Sequence, residues 1–338
     1  MPAFRSGVVT EILAERRGLQ RVMVGAERAY VLTQLIGPVS VGDEVVINTV
    51  AVERGLGTGG WHVVHWNLSR REWAEPGAGH IMKLRYTSLQ ADTGAADEDG
   101  DSGPDDLAGA PVVACTLHSQ VACVAAAITH ARPAARVAYV MADGAALPLA
   151  LSDLVANMTA SAVIVGTVTA GHAFGGELEA VSVPSALALS RHRLGADAIV
   201  VGMGPGVVGT ATGLGTTAVE ADGVLDVTAA LGGRPILAVR ASTVDPRSRH
   251  RGVSHHTLTV LRLARPGAAV PLPAGHDLVL DARDHIVEDV ETPDMATVLA
   301  ARGVEVTSMG RGPADDPLFF AAAGAAGVVA ARGLDATR

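Results

Sequence analysis

Through about residue 75 the chain alternates apolar and polar positions in short runs. "GVVTEIL", "QRVMVG", "AYVLTQL" and "DEVVINTVAV" are rich in β-branched residues and are separated by turn signals. That pattern predicts strands rather than helices, and Gly42-Asp43 in "VGDEV" supplies a hairpin corner. Five or six such strands predict a small all-β barrel or sandwich, assigned to residues 1–78. From Pro111 the pattern changes. Continuous apolar runs recur in "PVVACTL", "ARVAYVM", "SAVIVGT", "DAIVVGM", "RPILAVR", "HDLVLDA" and "VEVTSM". Between several of them lie helical spacings. Val121, Val124 and Ile128 share one face, and "SVPSALALSRHRLG" closes on Gly195. "DMATVLAARG" and "FFAAAGAAGVVAARG" supply the last two helices. Strands apolar on both faces, alternating with helices, predict a mostly parallel, doubly wound α/β sheet over residues 111–338.

Between the two patterns, residues 91–110 carry seven acidic residues and no base, with Gly, Pro and other small residues filling most of the rest. This composition predicts a solvated, flexible linker or loop.

Aromatic residues are 3% of the chain against 49% hydrophobic overall, so the core must be built from Val, Ala and Leu, as layered α/β folds allow. A net charge of −9 argues against a nucleic-acid partner. No run of about 18 apolar residues is present, so no membrane span or export signal is expected. Cys115 and Cys123 are the two cysteines, expected to be buried, reduced thiols of a cytoplasmic protein. In the β region, Trp61, His62, His65 and Trp66 are expected to pack a barrel end, with a ligand lip as the other reading.

In open α/β sheets ligands bind beyond the carboxyl ends of the strands. Six successive apolar runs here are followed by polar or glycine-rich stretches: His118-Ser119, Asp143, His172 with Glu177 and Glu179, Gly204-Pro205-Gly206 through Gly209, Asp245 with its histidines, and Asp281 with Asp284 and His285. Gly204, Gly206 and Gly209 form G-x-G-x-x-G after a strand, a candidate anion loop, although "TATGLGTT" delays the next helix. Ser119 fits a helix N-cap better than a nucleophile.

The segment "DPRSRHRGVSHHTLTVL" places His250, His255 and His256 within seven positions, beside Asp245, Arg247, Arg249 and Arg251. Ser254 can cap a helix that begins at His255, and the positive helix end then favours neutral imidazoles. A neutral imidazole suits a general base or a metal ligand. His255 and His256 are therefore the candidate bases, Asp245, Asp143 and His172 candidate catalytic partners, and His250, His255 and His256 candidate ligands of a divalent metal. His118, Ser119, the three glycines, Arg249, Arg251 and Asp281 are candidate ligand contacts. Against a metal, the spacing of His250 and His255 is not a usual zinc pattern, and histidines with arginines also serve subunit interfaces.

Together "RHRGVSHHTLTVL", "GHIMKLRYTSLQ", "GHAFGGELEAV" and "GPGVVGT" resemble a bacterial family catalogued as domain of unknown function number 3866. The resemblance runs from "GVVTEI" to the last helix and is weakest at the acidic stretch. It implies no activity, so no residue acquires a role through it. From the residues, the expected function is an enzyme acting on a small anionic or phosphorylated metabolite by hydrolytic or acid–base chemistry. A homo-oligomer is the expected assembly. The rival expectations are a non-catalytic nucleotide- or metabolite-binding module and an oligomeric assembly protein.

Overall fold

The computed structural model describes residues 1–56, 59–77 and 79–334. Contacts divide the chain into two compact units, Met1–Gly94 and Ala95–Arg338.

The first unit is a closed five-stranded barrel, with strand order β1-β2-β3-β5-β4. Its strands are β1 (Phe4–Arg16), β2 (Leu19–Val24), β3 (Glu27–Val31), β4 (Glu44–Asn48) and β5 (His62–Asn67), with single turns α1 (Thr33–Ile36) and α2 (Val50–Glu53) between them. Alternation turns Val22, Val24, Ala29, Val31, Val45, Ile47 and Val64 inward, where they form an aliphatic core. Trp61 stacks on Tyr30 with ring centroids 4.8 Å apart, and the Arg28 guanidinium lies 4.9 Å from its centroid, so this tryptophan packs against the barrel wall. Gly57 and Thr58, ahead of Trp61, lie outside the described residues. A two-stranded ribbon, β6 (Met82–Lys83) with β7 (Ala91–Asp92), follows.

The second unit is an all-parallel eight-stranded sheet, ordered β11-β10-β9-β12-β8-β13-β16-β17. The strands are β8 (Pro111–Cys115), β9 (Val137–Ala142), β10 (Gly166–Thr169), β11 (Leu178–Glu179), β12 (Ala198–Met203), β13 (Arg234–Ala238), β16 (Ala269–Pro273) and β17 (Ile286–Val290). Helices α3 (His118–Ala131), α4 (Asp153–Ala160), α8 (Met295–Ala301) and α9 (Pro317–Gly333) cover one face. Helices α5 (Val183–His192), α6 (Ala221–Ala230) and α7 (His255–Leu263) cover the other. In β8 the alternation is plain: Val113 and Cys115 enter the first core, Val112 and Ala114 the second. From β8 the chain winds first toward β11, returns through β12, and leaves through β13 to β17. The winding therefore reverses beside β8.

Three sequence expectations differ from this structure. "HDLVLDA" and "VEVTSM" are not strands; the last two sheet strands are β16 and β17. Ser119 is not a cap, because α3 begins one residue earlier at His118, with Leu117 in the N-cap position. Residues 95–110 are not a free tether. Ala96 donates to the Glu179 carbonyl, the Ser185 hydroxyl donates to Asp97, and Leu107 is fully buried, so the acidic stretch is tied onto the α/β unit.

No helix among the described residues is long and apolar enough to cross a membrane. Both cysteines are buried and unbridged.

Candidate functional site

The segment after β13 is held by a small antiparallel ribbon, β14 (Ala241–Ser242) with β15 (Gly252–Val253). The ribbon returns the chain to the sheet, and the loop between its strands carries Asp245, Arg247, Arg249 and a 3-10 turn ending at His250. Ser254 then caps α7, accepting from the His256 amide, as the sequence leads one to expect. Arg240 fixes this junction from the strand side: its amide donates to the Thr257 hydroxyl at 2.9 Å, and its carbonyl accepts from the Ser254 amide.

These constraints bring His250, His255 and His256 together, with ring centroids 4.5 to 5.0 Å apart. His250 Nδ1 lies 2.7 Å from the Ser254 hydroxyl. Arg240 Nη1 donates to His256 Nδ1 at 3.0 Å, which leaves Nε2 as the protonated nitrogen, donating to Thr216 Oγ1 at 3.3 Å. His255 Nε2 is buried with no hydrogen-bond partner. Burial first, and then the Arg240 charge, push His250 and His256 each down to about 3. Burial and the charge of Arg249 lower His255 as well. The imidazoles are thus neutral at ordinary pH, but burial and guanidiniums, rather than the helix end, are the cause.

Asp245, 1% exposed, anchors the cations. Arg247 Nε and Nη2 donate to its two oxygens at 3.0 and 2.9 Å, a bidentate pair. Arg240 lies 3.6 Å away and Arg311 3.4 Å away. Burial opposes ionisation of this carboxyl, but the hydrogen bonds and charge of Arg247 outweigh it and hold the group well below the carboxylate range. Arg311 also meets Asp316 at 3.3 Å, and Ser242 donates to the same Asp316 oxygen at 2.7 Å. Crowding shows on Arg240: burial and the charge of Arg247 pull it down to about 10, against the attraction of Asp245.

The histidine trio has the donor types of a metal site, with one ligand atom from each within 4.8 Å of the others. It does not fit a divalent cation. His256 spends both ring nitrogens on Arg240 and Thr216, and a dication would sit among guanidiniums already in excess.

The other sequence candidates stand elsewhere. Asp143 is exposed and accepts from the His172 amide at 2.9 Å. This pair follows β9 and β10, and β9 is three strands from β13, about 14 Å at ordinary strand spacing. His118 donates from Nδ1 to the Met203 carbonyl at 3.1 Å and accepts from the Ser152 hydroxyl at 2.7 Å, so its ring pins α4 to β12. Ser119 is a half-buried residue inside α3.

Gly204 is buried and packed against the Ala146 carbonyl, whereas Gly206 and Gly209 are exposed. The stretch beyond them folds back, Thr210 donating to the Gly215 carbonyl, before the 3-10 turn that precedes α6. The three glycines are thus not the start of a helix. Arg249 is exposed beside the trio, and Arg251 Nε donates to the Asp245 carbonyl. Asp281 lies in the exposed β16–β17 connection, where it accepts from the Arg283 amide. Arg240, Arg311, Asp316 and Thr216 are site residues that the sequence reading did not name. Of these, Arg240 alone had a signal, as the polar residue ending "RPILAVR".

The sequence profile described as "Protein of unknown function (DUF3866)" matches residues 28–327. No curated protein and no solved structure gives a significant match. With the profile matched over most of its length, including the whole histidine–arginine segment, the chain belongs to the DUF3866 family.

Proposed function

We propose that the protein is an enzyme acting on a small anionic metabolite by acid–base or hydrolytic chemistry beyond the carboxyl end of β13. The observation that carries this reading is the juxtaposition of three neutral imidazoles with more guanidiniums than carboxylates. Guanidiniums supply charge and directed donors for an oxyanion, and a neutral imidazole beside them accepts a proton. His255 is the base in this reading, since its Nε2 has no other partner. Burial and the surrounding cations depress its basicity, which keeps the imidazole neutral and ready to accept a proton. His256 is a positioning residue, fixed at both nitrogens. Asp245 holds the arginines in register.

The same reading makes the protein a cytoplasmic homo-oligomer with a small-molecule partner. The unbridged thiols support the cytoplasmic part of this reading.

A turnover screen of the full chain over phosphate monoesters, carboxylate esters and amides tests the proposal. Activity that falls at least 100-fold in His255→Gln supports it. Activity equal in the wild type and the variant refutes His255 as the base. Tight binding of a screened compound without turnover instead favours a metabolite-binding module.

A further inference from the structure

We infer that the ligand of this cluster is a tetrahedral dianion, the phosphoryl group of a phosphate monoester or inorganic phosphate itself. The inference rests on the reading of the site given above and narrows its substrate class. Charge is the first argument. The guanidiniums of Arg240, Arg247, Arg249 and Arg311 converge on this place, while Asp245 and Asp316 are the carboxylates paired with them. Arg251, whose guanidinium donates to the Asp245 carbonyl, adds a further cation, so the site keeps an excess of positive charge that a dianion offsets better than a carboxylate does.

Geometry is the second argument. The groups come from separate elements that hydrogen bonds and ion pairs join around Asp245 and His256. Arg240 stands at the end of β13, Arg247 and Arg249 on the ribbon loop, and Arg311 and Asp316 ahead of α9. His255 and His256 lie in the first turn of α7, and the Thr216 hydroxyl precedes the 3-10 turn. Arg251 closes the loop by donating to the Asp245 carbonyl. A three-oxygen group offers acceptors out of one plane, whereas those of a carboxylate lie in its plane. The first turn of α7 adds the positive end of the helix, a setting that favours phosphate.

The histidines supply the third argument. They are neutral and crowded by cations, so they contribute directed N–H groups or lone pairs rather than charge. Binding must therefore follow the ionisation of the ligand and not of the imidazoles. A phosphate monoester loses its second proton near pH 6. Affinity for it should rise about tenfold from pH 5 to pH 7, while sulfate, a dianion throughout, should show almost no change.

Calorimetric titration of the full chain with phenyl phosphate, inorganic phosphate, sulfate, acetate and zinc, at pH 5 and pH 7, tests this. The expected result is one phosphoryl ligand per chain, the stated pH trend, acetate at least tenfold weaker, and a tenfold or greater loss in Arg249→Gln. Arg249 is exposed, so its replacement leaves the fold intact and the loss is readable. Phenyl phosphate binding above inorganic phosphate identifies a monoester as the source, and the reverse order identifies the free ion. Acetate binding as well as phosphate overturns the dianion while leaving an anion site. Affinity that rises as pH falls also overturns it, because protonated imidazoles would then be the attraction. Stoichiometric zinc with no anion bound overturns both this inference and the proposed function.

Discussion

Arg240 Nη1 donates to His256 Nδ1 at 3.0 Å, joining the carboxyl end of a central strand to the first turn of the helix that follows it. The bond fixes the imidazole tautomer and sends its remaining proton toward Thr216. It also sets a buried guanidinium against buried histidines, which makes the region dependent on its buried carboxylates, Asp245 beside Arg240 above all.

Replacing Asp245 by Asn should therefore be costly. The side chain is 1% exposed and faces three arginines, so neutralising it leaves like charges together without their counter-ion. A loss of about 3 kcal/mol is expected, the scale of breaking a buried ion pair. Urea unfolding of Asp245→Asn measures it, and a change under about 0.5 kcal/mol, the scale of an exposed pair, would remove Asp245 from its anchoring role.

Acid should destabilise the protein well before carboxylates titrate. In the folded chain His118 sits at about 4, and His250 and His256 at about 3, all by burial first. Unfolded histidines bind protons near pH 6.5. The unfolded state therefore binds more protons below that pH, and stability present above 6.5 is lost as pH falls toward 4. Asp245 acts in the same direction at lower pH, because its folded pKa is depressed and its contribution disappears as the carboxyl protonates. The urea midpoint should fall steadily from pH 7 to pH 5. In His118→Gln the slope should shrink by up to about 1.4 kcal/mol per pH unit, one proton's worth.

Ser152→Ala separates structure from site. Ser152 caps α4 through the Val155 amide and donates to His118, so its loss removes a cap and leaves a buried ring nitrogen without a donor. About 2 kcal/mol of stability should be lost, read as a lower melting temperature. Anion binding at the histidine cluster should not change.

The glycine loop makes a contrast. A Cβ on Gly204 would lie 2.3 Å from the Ala146 carbonyl oxygen, an immovable backbone contact, whereas Gly206 has open space and a φ of +101°. Gly204→Ala should cost about 2 kcal/mol or more, and Gly206→Ala about 1 kcal/mol from backbone strain alone. Thermal unfolding of the two variants checks the order; a reversal would mean that the turn at Gly206 is the tighter constraint.

Much of the architecture was legible because strand and helix periods differ. The barrel followed from alternating β-branched residues, and the parallel sheet from runs apolar on both faces. The last strands were misplaced for a physical reason. Pro271 and Pro273 interrupt β16 with missing amides, a cost tolerated because β16 meets β13 at one pair, Ile236 with Ala269. "HDLVL" has a strand's composition, but only Leu278 and Leu280 pack, half-buried, against the second core while Val279 is exposed.

In the site, the local concentration of His250, His255, His256 and Asp245 was visible, as was the Ser254 cap. Arg311 was not, lying 66 positions from Asp245 in a loop without periodicity. Position at a strand end does not reveal which partners a residue finds: Asp143 accepts from the His172 amide and Asp281 from the Arg283 amide.

Side-chain ¹⁵N–¹H NMR of the histidines, titrated from pH 8 to pH 4, tests the central claim of a neutral base among guanidiniums most directly. The account predicts that His250 and His256 stay neutral to about pH 4, that His255 titrates below 6.5, and that His256 carries its proton on Nε2. Three ordinary titrations centred near pH 6.5 would contradict it.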